Sequence, residues 1–69
     1  MMILRRYPEI HIRTHSRNPL TWVSAVRTAL RQSRVDAAEI QRFTEEALHA
    51  DEASKIGAVV SRWATVEVV

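Results

Sequence analysis

The side chains able to do chemistry in this chain are three histidines, a scatter of serines, runs of carboxylates and a large set of arginines. His11 and His15 share one side of an alternating segment, and His49 sits near a helix end. Gathered imidazoles would bind a metal or relay a proton. Arg13, however, lies between the first two on the same side, and a fixed cation opposes a divalent ion. There is no cysteine to supply a thiolate and no HExxH spacing. The ordinary role for these histidines is solvent-facing, with His49 complementing a helix C-terminus. Ser16, Ser24, Ser33, Ser54 and Ser61 lack the GxSxG elbow of a serine nucleophile. Glu45 and Glu46 are adjacent on one helix rather than opposed across a cleft, as paired catalytic carboxylates must be. A single glycine, Gly57, excludes a glycine-rich phosphate loop. A chain of 69 residues also leaves little room for a ligand pocket of roughly 300–1,000 Å³. The expectation is a non-enzymatic protein with no metal, no cofactor and no small-molecule substrate.

The arginines remain. Of the ten Lys and Arg residues, Lys55 is the only lysine, and the guanidinium fork suits carboxylate and phosphate better than an ammonium does. Their distribution is lopsided. Residues 1–34 hold Arg5, Arg6, Arg13, Arg17, Arg27, Arg31 and Arg34 against Glu9 alone. Residues 35–69 hold Arg42, Lys55 and Arg62 against Asp36, Glu39, Glu45, Glu46, Asp51, Glu52 and Glu67. A basic front half is the electrostatic footprint of an anionic partner, either nucleic acid or an acidic protein. It equally suits attraction between the two halves, or between two copies. The candidate surface comprises Arg13, Arg17, Arg27, Arg31 and Arg34, with His11 and His15 as neighbours.

These residues need elements to hold them. Residues 1–8 form a lead-in that ends at Pro8 and is open to fraying, with Met1-Met2-Ile3-Leu4 either frayed or a pairing strand. From Glu9 the chain alternates, with Ile10, Ile12 and Thr14 on one side and Glu9, His11, Arg13 and His15 on the other, the period of a half-buried strand. Asn18-Pro19 then reads as an N-cap and first helical residue. Trp22, Val23, Val26, Ala29 and Leu30 make an apolar helical stripe to about Ser33, with Arg27, Arg31 and Arg34 along its border. Asp36 through Glu39 has the form of a capping box. It opens a second helix expected to bury Ile40, Phe43, Ala47 and Leu48. A third helix carries Ala53, Ile56, Val59, Val60 and Trp63, with Gly57 marking either a close neighbour or a break. Trp22 and Trp63 lie on apolar stripes, which favours core packing over base stacking. The β-branched 65–69 alternates again as a short strand.

The order is β-α-α-α-β, so the fold class expected is α+β, one small domain over residues 1–69 with three helices packed on short terminal strands. No stretch approaches the length of a membrane span, and Arg5 and Arg6 interrupt any leader, so a cytoplasmic protein without membrane contact is the default. A lone two-stranded ribbon is marginal. Strand pairing with a second copy would strengthen it, which favours a homodimer.

The alternating strand from Glu9 to Thr14, followed by two helices and a short turn, resembles the ribbon-helix-helix DNA-binding dimers. The resemblance implies antiparallel pairing of this strand with its twin, with Glu9, His11 and Arg13 facing bases and the amides of Ala37 and Ala38 facing a phosphate. It departs from that pattern at Ser33-Arg34-Val35, which lacks the turn glycine, and at Asp36, whose charge repels phosphate. The stretch from Leu30 to Phe43 also partly resembles a helix-turn-helix, although Glu39, Glu45 and Glu46 would repel duplex DNA.

Overall fold

In the computed structural model, residues 5–69 are described. The two strands, β1 (His11–Thr14) and β2 (Thr65–Val68), form a parallel pair with His11 opposite Thr65 and Thr14 opposite Val68. Parallel neighbours cannot be joined by a hairpin, so the chain must cross over between them. Three helices make that crossing: α1 (Pro19–Gln32), α2 (Ala37–His49) and α3 (Ala53–Trp63). The fold is α+β in the expected order.

Each helix boundary has a local cause. Asn18 Oδ1 accepts from the Leu20 amide at 3.0 Å, and Pro19 follows where no hydrogen bond is lost. At the other end of α1, Arg34 adopts φ 60°. The Arg34 amide donates to the Arg31 carbonyl (3.1 Å) and the Val35 amide to the Leu30 carbonyl (3.0 Å). These are the two bonds of a Schellman ending, in which glycine is the usual left-handed residue. The turn without glycine therefore closes anyway, at a cost of about 1–2 kcal/mol for an L side chain. Asp36 Oδ1 caps α2 through the Ala38 amide at 3.4 Å. Glu39 does not complete the expected capping box but pairs instead with Arg6.

The core lies between the helices and the sheet. Val26, Leu30, Phe43 and Val60 are wholly shielded, with Ile10, Val23, Ile40, Ala47, Val59, Trp63 and Ala64 around them. Leu48, expected inside, is 69% exposed. At 3.6 residues per turn it lies about 100° around α2 from Ala47, beyond the edge of the buried stripe. Ile10, Ile12 and Val66 pack on the core as the alternation requires, but Val68 at the strand end remains exposed. Gly57 does not break α3. A Cβ there would meet Trp22 Cζ3 at 3.3 Å, so the glycine admits the indole of α1. Trp22 itself is half-buried, its Nε1–H donating to the Ser16 carbonyl at 2.8 Å.

The lead-in is docked over residues 5–8. The Arg6 and Tyr7 amides donate to the carbonyls of Arg62 (2.9 Å) and Trp63 (2.8 Å), satisfying the open end of α3. The expectation for Met1 through Leu4 lies outside the described residues.

Candidate anion-binding surfaces

The seven side chains marked from sequence do not assemble as one patch. His11, Arg13 and His15 project from the solvent face of the sheet, as the alternation predicts. There the parallel register sets Arg13 opposite Glu67, and that carboxylate meets both side chains: His11 Nε2 lies 3.1 Å and Arg13 Nε 3.7 Å from its Oε2. His15 Nδ1 lies 3.2 Å from the Val69 carbonyl. β2 thus supplies the sheet face with its own counter-charge. Arg17 precedes α1 and Arg34 follows it, so the 14-residue helix holds them about 21 Å apart along its axis.

Strand pairing also departs from the ribbon arrangement. The Thr65 amide donates to the Ile10 carbonyl (3.0 Å) and the Val69 amide to the Thr14 carbonyl (2.8 Å), so β1 takes a parallel partner from its own chain along this edge. The Ala38 amide, a phosphate donor in that resemblance, is taken by Asp36.

What survives of the marked set is its helical part. Arg27 and Arg31, one turn apart on α1, border a groove of about 530 Å³ between α1 and α2. Its other walls are Val35, Ala37, Ile40, Gln41 and Thr44, largely apolar. Among the described residues neither arginine has a carboxylate partner. Arg27 Nε is sequestered from solvent with no acceptor among the described residues. Such a donor costs about 1–3 kcal/mol unless an acceptor reaches it.

A second arginine group is absent from the marked set. Arg5, Arg6, Arg42 and Arg62 line one cleft with Glu46 and Trp63. Trp63 organises it. Its ring stacks with Tyr7 at 6.0 Å, meets Phe43 at 5.4 Å and carries the Arg6 guanidinium at 5.1 Å, while its Nε1–H donates to Glu46 Oε2 at 2.6 Å. Arg6 also pairs with Glu39, and that hydrogen bond is the main reason its pKa is raised above the ordinary arginine value. Nothing in the spacing of these arginines announces the group, because they come from three separate segments. The only local sign is Arg5-Arg6 running into Tyr7.

The space between the helices takes the form of open furrows rather than enclosed cavities. A third groove of about 810 Å³ runs between α2 and α3 over Ala50, Ala58 and Val59, with Glu45, Glu46, Arg42 and Lys55 at its margins. A small helical domain has little interior, but the furrows between its helices are still wide. Among the described residues no cluster of His, Asp and Glu is arranged to hold a metal, and no helix is long and apolar enough to cross a membrane. No protein-family model matches the chain, and comparison with curated proteins and with solved structures gives no significant match, so the functional reading rests on these residues alone.

Proposed function

We propose that this chain is a non-enzymatic binding module whose α1–α2 groove takes an acidic segment of a partner protein. The observation that carries the reading is the groove itself: Arg27 and Arg31, without a carboxylate partner among the described residues, along an apolar floor. A carboxylate of the partner would accept from the guanidinium groups of Arg27 and Arg31, and hydrogen bonds to charged groups contribute about 1.5–3 kcal/mol. A neighbouring apolar side chain would cover Val35 and Ile40. Duplex DNA suits this groove less well, since an apolar floor offers nothing to a phosphate backbone.

The test is a titration with a synthetic peptide alternating glutamate and leucine, followed through the arginine Nε–H resonances of the labelled protein. The Arg27 and Arg31 signals are expected to move saturably. Affinity should fall with salt, and Arg27→Gln with Arg31→Gln should remove binding while Arg62→Gln leaves it intact. Preferential binding of random duplex DNA with a steep salt dependence would overturn the reading.

A further inference from the structure

We propose that the cleft around Trp63 is a separate anion site that takes a compact diphosphate group. The guanidiniums of Arg5, Arg6, Arg42 and Arg62 face one lining carboxylate, Glu46, and Glu39 stands behind Arg6. With Glu39 counted the excess is two positive charges. One phosphoryl group, at about −1.5 to −2, nearly balances it at pH 7, so the diphosphate is favoured by the number of donors: four guanidinium forks offer more N–H groups than one phosphoryl group can take. Arginine forks suit phosphoryl oxygens by geometry as well as by charge.

The carboxylate that would compete is already engaged. Glu46 Oε2 accepts the Trp63 indole N–H at 2.6 Å, and Glu39 is turned to Arg6. The lead-in is fixed by its two backbone bonds to the end of α3, which brings Arg5 and Arg6 beside Arg62. Arg42 comes from α2, so no two adjacent helical turns make this site. It exists only when lead-in, α2 and α3 are packed together.

The ligand class is narrowed by what Trp63 does not offer. The residue is 4% exposed, with Arg6 over its ring and Tyr7 and Phe43 packed against it. No face of Trp63 is free for a nucleobase, so the affinity resides in the phosphates rather than in stacking on this indole. The cleft, about 470 Å³, accommodates a diphosphate without a base.

The experiment uses the full chain and inorganic pyrophosphate at constant ionic strength, read by the Trp63 indole resonance and the arginine Nε–H signals. Saturable shifts confined to Trp63, Arg5, Arg6, Arg42 and Arg62 are expected. Arg42→Gln and Arg62→Gln, both exposed and separate from the core, should each weaken binding about tenfold. Glu46→Gln keeps an acceptor for the indole and removes the opposing charge, so it should tighten binding several-fold. Arg31→Gln should change nothing, which separates this site from the α1–α2 groove. A nucleoside diphosphate should bind about as tightly as pyrophosphate. The proposal is overturned by no saturation below about 10 mM. Equal weakening by Arg31→Gln, or a gain of more than about tenfold from the base, would overturn it as well.

Discussion

The two arginine groups of this molecule are built in opposite ways. Arg27 and Arg31 sit at i and i+4 on α1, so their juxtaposition follows from helical geometry alone. Arg5, Arg6, Arg42 and Arg62 are brought together only by Trp63 and the docking of the lead-in. The first group should persist wherever α1 persists. The second should vanish with the packing that makes it. Where charge is concerned, proximity along a helix and proximity through a core are different kinds of evidence.

That contrast is breakable. Trp63→Ala removes the shared support of Tyr7, Phe43 and Arg6 and should cost about 3–5 kcal/mol, a large share of the stability of a domain this small, read by chemical denaturation. If the protein keeps its wild-type midpoint, Trp63 does not organise the cleft. Glu46→Ala leaves the half-buried indole N–H without its acceptor and should cost about 1–3 kcal/mol, whereas Glu46→Gln should cost far less. Equal losses in the two variants would mean that packing, not the hydrogen bond, is what Glu46 provides.

On the α1 side the effects should be smaller and of mixed sign. Arg34→Gly relieves the left-handed backbone at φ 60° and should raise stability by roughly 0.5–1 kcal/mol. A loss there would show the Arg34 side chain holding more than its turn. Arg31→Gln and Leu48→Gln lie on solvated faces and should leave the thermal midpoint unchanged, within about 0.5 kcal/mol. A marked destabilisation by Leu48→Gln would mean that this leucine is covered by something other than its own chain.

Much of the fold is written in short-range pattern. The alternation from Ile10 to Thr14 and the Asn18-Pro19 cap follow from strand and helix periodicity and local hydrogen bonding, and the structure bears them out. So do the stripes through Val26, Phe43 and Val60. Gly57 left two options open, and only the approach of Trp22 selects between them. Glu39 had the right spacing to close its own cap, yet Arg6, 33 residues earlier, is where its carboxylate goes. A local rule competes poorly when a tertiary partner brings a full opposite charge.

The amino-acid sequence by itself determined the element order, the buried stripes and the arginine border of α1, because each depends on residues within a few positions of one another. Tertiary structure alone decided that β2 runs parallel to β1 and places Glu67 against Arg13. It also decided that Arg42 and Arg62, set among the carboxylates of the acidic half, join Arg5 and Arg6 at one cleft. The physical reason is that charge acts through space, and sequence separation says nothing about distance once a crossover has folded the chain back on itself.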